Sequence, residues 1–251
     1  TSQKIDMNWF ESWFDSPYYH LLYQHRDDKE AQYFIDHLYA KFHIQPSHKI
    51  LDLACGAGRH AIFMASKGNA VTGVDLASNS IAEAKAKVLE LPEKLNIEFQ
   101  VADMRDFDLK TSFDLVFNLF TSFGYFENKN ENLDVLGSIK KHQTKGGILV
   151  IDYLNSQLVR AKGEESYTKV IDAIQFEIHK YFEGDFVKKE IKVIDENGVF
   201  HFREQVQLFE SNELESMLRN QGYQMTEHFG DYDLETYSQT SPRSIWVGTR
   251  L

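Results

Sequence analysis

The chain has 251 residues, of which 42% are hydrophobic, and its 27 basic and 38 acidic side chains give a formal net charge of −11. Such a chain can bury a large core unaided, and its single cysteine excludes an intrachain disulfide and a multi-cysteine zinc site. The acidic balance argues against a nucleic-acid partner, which favours clustered Lys and Arg. Residues 1–14 lack a signal-peptide pattern, and no apolar run reaches the roughly 18 residues of a membrane span. We therefore expect a cytoplasmic protein that binds neither nucleic acid nor a membrane.

Strand and helix patterns alternate along the first part of the chain. Apolar residues at helical spacing predict helices, and these lie at 28–42, 59–66, 78–90 and 130–142. Short apolar runs predict buried strands, and these lie at 49–54, 70–74, 97–102, 113–119 and 147–153. Strands that are apolar throughout are expected when both faces of a sheet are covered, so the order predicts a doubly wound α/β sheet.

The pattern changes after Asn155. Three segments of partial alternation predict an antiparallel meander of three strands, and they lie at 167–182, 186–194 and 199–209. Hairpin signals separate them, of which Asn197-Gly198 is the stronger. A helix at 213–221 and strands at 223–229 and 244–250 close the chain. The predicted parts are a helical cap (1–45), an α/β domain (46–160 and 211–251) and an inserted meander (161–210), which serves as a lid or as the contact of a homodimer.

A glycine loop at 50–60, ILDLACGAGRH, is the most informative segment. Glycines between a strand and a helix let a ligand approach the exposed N–H groups of the helix. Asp75 ends the next strand, where a carboxylate can accept hydrogen bonds from two ribose hydroxyls. Dinucleotides and S-adenosylmethionine both use this arrangement. Residues 56–61 also satisfy the dinucleotide pattern G-x-G-x-x-G/A, so an NAD(P)-dependent oxidoreductase is an alternative.

Acidic residues around the loop favour S-adenosylmethionine. Asp52 stands four residues before Gly56 and would repel a pyrophosphate by ~1 kcal/mol or more, whereas an ammonium and a sulfonium would be attracted. Asp103, at the end of the third strand, adds an acceptor suited to an adenine amino group. Three acids at strand ends fit a cationic nucleoside better than a dinucleotide.

The loop resembles motif I of the class I S-adenosylmethionine-dependent methyltransferases, with Ala54 where the family usually has its first glycine. A methyl group is tolerated there if the backbone has an ordinary φ. Residues 73–75 resemble motif II, 102–104 motif III and 113–118 the fourth-strand motif. The resemblance covers about 45–155 and the last two strands. It implies a Rossmann-like, mostly parallel seven-stranded sheet and S-adenosylmethionine as cofactor, bound by Asp52, Ala54, Gly56, Gly58, Asp75, Leu76, Asp103, Met104 and Asn118.

The segment 17–26, PYYHLLYQHR, resembles the part that small-molecule methyltransferases of this class fold over the cofactor. The resemblance implies that Tyr18 and Tyr23 cover the methionine end and that Arg26 pairs with its carboxylate. The alternative is a helix that packs on the core. His20 is the candidate general base.

The substrate is expected to be a small molecule. Asn118-Leu119-Phe120-Thr121 is not the Asn/Asp-Pro-Pro-Tyr/Phe box of enzymes that methylate exocyclic amines of bases. We therefore predict methyl transfer to an N or O nucleophile of an amine, an amino sugar or a carboxylate-bearing metabolite, with a non-catalytic cofactor-binding regulator as a further alternative. Histidine and cysteine spacings predict no metal site. Loops after the fifth and sixth strands of the α/β domain supply the candidate substrate contacts Tyr153, Asn155, Tyr232 and Arg243.

Overall fold

The computed structural model describes residues 9–24 and 28–251. The helices in these ranges are α1 (Trp9–Phe14), α2 (Pro17–Leu22), α3 (Asp28–Phe42), α4 (Arg59–Ser66), α5 (Ser78–Glu90), α6 (Lys129–Lys141), α7 (Ser156–Lys162) and α8 (Ser211–Asn220). None of them is long and apolar enough to cross a membrane. The strands are β1 (Lys49–Leu53), β2 (Ala70–Asp75), β3 (Ile97–Val101), β4 (Phe113–Asn118), β5 (Gln143–Leu154), β6 (Glu165–Ile171), β7 (Ile174–Glu183), β8 (Phe186–Asp195), β9 (Gly198–Gln207), β10 (Tyr223–Phe229) and β11 (Arg243–Arg250).

Seven strands form one sheet in the order β10-β11-β5-β4-β1-β2-β3. β11 is antiparallel to both of its neighbours, and the other pairs are parallel. The predicted doubly wound, mostly parallel seven-stranded sheet is thereby confirmed. Because parallel strands end at the same edge, the loops that follow β1, β2, β3 and β4 lie together, and ligands of such sheets bind at this edge.

Apolar helix faces cover both sides of this sheet. On one side α3 and α4 contribute Phe34, Leu38 and Met64, and on the other α6 and α8 contribute Leu136 and Leu218, all of them at most 1% exposed. Coverage of both faces explains why the central strands are apolar almost throughout.

Residues 165–207 form a second sheet, which we call the small sheet, with the order β6-β7-β8-β9 and antiparallel pairing. The prediction of three strands is wrong, because the segment 167–182 turns at Asp172-Ala173 and forms parts of β6 and β7. Both turn residues have positive φ, 48° and 65°. Such turns are normally signalled by Asn-Gly or Asp-Gly, and an alanine at the second position carries no such signal.

The two N-terminal helices lie on the small sheet. The ring centroid of Trp13 in α1 is 4.8 Å from that of Phe202, and the ring of Tyr18 in α2 is 5.2 Å from that of Phe200. The small sheet joins the larger one where the Gln207 N–H donates to the Gly124 carbonyl at 2.7 Å. Helices α1 and α2 therefore pack on the small sheet and lie beside the edge of the larger sheet.

Candidate active site

The loop between β1 and α4 has a left-handed backbone at three positions. Ala54, Gly56 and Gly58 have φ of 60°, 53° and 78°. The ordinary φ expected for Ala54 is therefore not found, and this residue bears a cost of about 1–2 kcal/mol that glycine would avoid. The first N–H groups of a helix have no partner within the helix, and α4 begins directly after this loop.

Gly58→Ala is expected to lower the free energy of unfolding by about 2–5 kcal/mol, because a left-handed L-residue costs about 1–2 kcal/mol and overpacking about 1–3 kcal/mol. A Cβ at Gly58 would lie 2.8 Å from Cζ of Phe99. Denaturant-induced unfolding measures the change. The control is Gly137→Ala in α6, where nothing lies within 4 Å of the new Cβ and a gain of about 0.5–1 kcal/mol is expected. Equal effects of the two substitutions would contradict the close packing of the loop on Phe99.

Asp75 closes the loop from the end of β2. Its Oδ2 accepts a hydrogen bond from the Gly56 N–H and its Oδ1 one from the Ala77 N–H, both at 2.8 Å. Burial raises the pKa of this carboxyl, and the backbone N–H groups oppose the rise. The same carboxyl lines the pocket described next, so it is placed to meet a ligand as well as the loop.

A pocket opens at the carboxyl ends of β1, β2 and β3. Six residues predicted to bind the cofactor line it, namely Ala54, Gly56, Asp75, Leu76, Asp103 and Met104. Ten further residues, which no sequence pattern assigned to the pocket, also line it, namely Phe10, Glu11, Phe14, Tyr19, Val74, Ala77, Ser80, Ala102, Tyr125 and Phe126. Four of these belong to α1 and α2. The apolar residues of α1, WFESWF, recur at helical spacing, which is a signal for the helix although not for its place.

Two buried polar side chains lie at the ends of the central strands. Asp52 is 1% exposed and Asn118 is fully buried, and neither Asp52 Oδ2 nor Asn118 Oδ1 has a hydrogen-bond partner among the described residues. Burial and the charge of Asp75 raise the pKa of Asp52 to about 7, against an N–H from Ala61 and the charge of Arg59. Neither residue lines the pocket, but buried acceptors without donors are costly, so both would gain from a donor at these strand ends.

Asp103 is held by a neighbouring arginine. Arg105 donates to both carboxylate oxygens, with its Nη2 2.5 Å from Oδ2, and also pairs with Glu131. Burial would raise the pKa of Asp103, but the hydrogen bonds and charge of Arg105 outweigh burial and lower it. Asp103 therefore lines the pocket as a carboxylate, and its contact with an adenine stays a prediction.

The structure places Tyr18 and Tyr23 on the small sheet instead of in the pocket. The Tyr18 hydroxyl donates to Asp195 at 2.6 Å, and the Tyr23 hydroxyl donates to Glu204 at 2.7 Å. Adjacent helical residues point about 100° apart, and it is Tyr19 that lines the pocket. The predicted cofactor contact of Arg26 lies outside the described residues.

His20 lies beside the pocket. Its Nε2 is 3.4 Å from Oγ of Ser80, and Ser80 is a lining residue. Its role as general base stays a proposal. Among the described residues, no group of three or more His, Cys, Asp or Glu side chains could hold a metal ion.

The four candidate substrate residues are engaged inside the fold, and none of them lines the pocket. Tyr153 donates to the Gln207 carbonyl, and Asn155 donates to three carbonyls of the loop before β11. Tyr232 and Arg243 both donate to Asp152, at 3.0 and 2.7 Å. These side chains are engaged because the loop 230–242 folds back onto the strand ends, where its polar groups form hydrogen bonds within the protein.

Asp152 also holds the backbone that follows β4. Phe120 and Thr121 have φ of 69° and 59°, a strained conformation for residues other than glycine. The Phe120 N–H donates to Asp152 Oδ2 at 2.9 Å, and Arg243 donates to the Thr121 hydroxyl at 2.9 Å. This segment leads directly to Tyr125 and Phe126, so the cluster determines where one wall of the pocket lies.

Comparison with known proteins agrees with this geometry. The sequence profile of a methyltransferase domain matches residues 50–147. A putative methyltransferase of Bacillus subtilis (strain 168), YqeM, is 28% identical over 204 residues, which cover 76% of this chain and 80% of the relative. The dTDP-3-amino-3,4,6-trideoxy-alpha-D-glucopyranose N,N-dimethyltransferase of Streptomyces venezuelae is 29% identical over 103 residues, 41% of each chain.

Among solved structures, an S-adenosylmethionine-dependent methyltransferase from Clostridium acetobutylicum superposes with a TM-score of 0.80 over 93% of this chain and 96% of its own, at 19% identity. That likeness concerns the fold. The profile match and the relatives favour a methyltransferase over the oxidoreductase alternative, because the glycine loop and Asp75 are compatible with both. Residues 50–147 form a methyltransferase domain, and the relatives and the fold support a class I S-adenosylmethionine-dependent methyltransferase with S-adenosylmethionine as its cofactor.

Proposed function

We propose that this methyltransferase acts on a nitrogen of a small-molecule amine, with amino sugars as the best supported class. The chemistry of the pocket wall carries the proposal. Five aromatic rings and three acids line it, namely Phe10, Phe14, Tyr19, Tyr125 and Phe126, with Glu11, Asp75 and Asp103. None of the described residues that line the pocket is Lys, Arg or His.

Such a wall favours a positively charged ligand. Aromatic faces attract cations by about 0.5–2 kcal/mol, and carboxylates pair with them directly. A neutral hydroxyl would gain little from these contacts. A protonated amine and the sulfonium of the cofactor are both cations, so the same wall serves both.

When bound, S-adenosylmethionine supplies a methyl group that its sulfonium already activates. The protein then has to orient the nucleophile and exclude water. Aromatic rings of α1 exclude water from the pocket. The ring centroid of Phe14 lies 5.1 Å from that of Tyr125, and that of Phe10 lies 5.7 Å from that of Phe126. An ammonium substrate must lose a proton before its nitrogen can attack. Glu11 in the wall, or His20 beside Ser80, accepts that proton in our proposal.

The relatives support nitrogen as the nucleophile. The matched protein of Streptomyces venezuelae is by name an N,N-dimethyltransferase of a dTDP-linked amino sugar. Its alignment spans 103 residues, 41% of this chain, so it supports the reaction class and leaves the individual sugar to experiment.

A methylation assay with matched substrates tests the proposal. Nucleotide-linked sugars that carry either an amine or a hydroxyl at the same carbon are incubated with the protein and S-adenosylmethionine, and products are measured by mass spectrometry. We expect the amine to gain one or two methyl groups and the hydroxyl compound none. Glu11→Gln is expected to slow the reaction at neutral pH. Methylation of the hydroxyl compound alone would refute nitrogen as the nucleophile.

A further inference from the structure

A largely buried carboxylate of the small sheet holds both N-terminal helices. Glu204 on β9 has a side chain that is only 14% exposed. Its Oε1 accepts hydrogen bonds from Trp13 Nε1 and from the Tyr23 hydroxyl, both at 2.7 Å. Its Oε2 accepts one from Lys189 Nζ at 2.9 Å. Trp13 belongs to α1 and Tyr23 caps α2, so one carboxylate receives a donor from each helix.

The cluster keeps its charges over a wide pH range. Burial would raise the pKa of Glu204, but the charge of Lys189 and the three hydrogen-bond donors outweigh burial and hold it below its usual range. Burial raises the pKa of the Tyr23 phenol, which therefore stays a donor. Charged hydrogen bonds in a site this protected are about twice as strong as neutral ones.

Other residues of the same two helices line the cofactor pocket. Phe14 follows Trp13 directly, and the ring of Tyr19 lies 5.2 Å from that of Tyr23. Both helices are six residues long, so a shift at Trp13 or Tyr23 moves the pocket wall with it. Of the two roles predicted for the insert, a lid and a dimer contact, this arrangement supports the first.

We propose that Glu204 is a positioning residue for the cofactor. It acts through Trp13 and Tyr23, which place α1 and α2 over the pocket, so the small sheet determines how tightly the helices close on S-adenosylmethionine. The proposal concerns the cofactor and holds for a nitrogen or an oxygen nucleophile alike.

Calorimetric titration of the whole protein with S-adenosylmethionine and S-adenosylhomocysteine tests it without any methyl-acceptor substrate. Glu204→Gln is expected to raise both dissociation constants about tenfold at a stoichiometry close to one. Tyr23→Phe leaves the ion pair of Glu204 and Lys189 in place and is expected to raise them about threefold. Hydrogen exchange at residues 9–23 of the ligand-free variants is expected to be faster.

The matched control is Glu177→Gln. Glu177 pairs with Lys192 across β7 and β8 at 2.9 Å, the same distance as in the pair of Glu204, and it accepts a further hydrogen bond from Gln175 within the small sheet. We expect its dissociation constants to stay within twofold of those of the unchanged protein. If Glu204→Gln lowers only the stoichiometry and leaves the dissociation constant unchanged, part of the protein has unfolded and the positioning role is refuted. Unchanged binding in both Glu204→Gln and Tyr23→Phe would refute it as well.

Discussion

Asp52→Asn is expected to raise the free energy of unfolding at pH 8 while it weakens cofactor binding. The pKa of Asp52 is raised from 3.8 to about 7 in the folded protein. Between these values the folded state holds a proton that the unfolded state has released, so stability falls as pH rises from about 4 to about 7. A difference of this size amounts to about 4 kcal/mol at most. Asparagine has no charge to bury, so the variant should lack this loss.

Denaturant-induced unfolding between pH 5 and pH 8 measures the first effect. The free energy of unfolding of the variant should exceed that of the unchanged protein most at pH 8 and least at pH 5. If the difference in free energy of unfolding between the two proteins does not change with pH, Asp52 titrates in its ordinary range.

Binding should change in the opposite direction. Loss of the Asp52 charge is expected to weaken the binding of S-adenosylmethionine by about 1–3 kcal/mol, the interaction of two unit charges roughly 6–15 Å apart at an effective dielectric constant of about 20. In the unchanged protein, affinity should fall as pH drops below about 7, because Asp52 becomes protonated. Titration calorimetry across this pH range checks both results. If Asp52→Asn binds S-adenosylmethionine as tightly as the unchanged protein, Asp52 does not contribute to cofactor binding.

Asp75→Ala is expected to weaken S-adenosylmethionine binding by about 1–3 kcal/mol, or about 5- to 150-fold. The substitution removes a carboxylate of the pocket wall and the two hydrogen bonds that it accepts from Gly56 and Ala77. Asp75→Asn keeps one acceptor oxygen and should weaken the binding of S-adenosylmethionine less than Asp75→Ala does.

The control for Asp75 is Asp114→Ala. Asp114 accepts a backbone hydrogen bond from the Lys49 N–H at 2.8 Å, at the opposite edge of the same sheet. This variant should bind the cofactor as the unchanged protein does. Circular dichroism confirms that each variant is folded. Unchanged affinity in a folded Asp75→Ala would refute the ribose contact.

The order of strands and helices could be predicted because local periodicity reports burial. The sheet is covered on both faces, so its strands are apolar runs and its helices carry apolar stripes. Asp75 and Asp103 could be placed at one site for a related reason. Asp75 ends β2 and Asp103 follows the end of β3 by two residues, and parallel strands end at one edge.

Side-chain partners could not be predicted in the same way. Tyr18, Tyr19 and Tyr23 are chemically alike, and only the packing of α2 against the small sheet turns Tyr19 toward the pocket. Arg243 and Tyr232 have the chemistry of substrate contacts, yet the folded loop directs both to Asp152.

Local patterns in the sequence were enough to predict the fold class, the glycine loop and the acids that follow the strands, because each pattern is contained in one strand or helix and the turn beside it. The residues that wall the pocket, and the contacts that hold them, depend on long-range packing. Trp13 and Glu204, which meet at 2.7 Å, are 191 positions apart in the chain. Only folding brings two such residues together, and the local sequence pattern around either residue does not predict their contact.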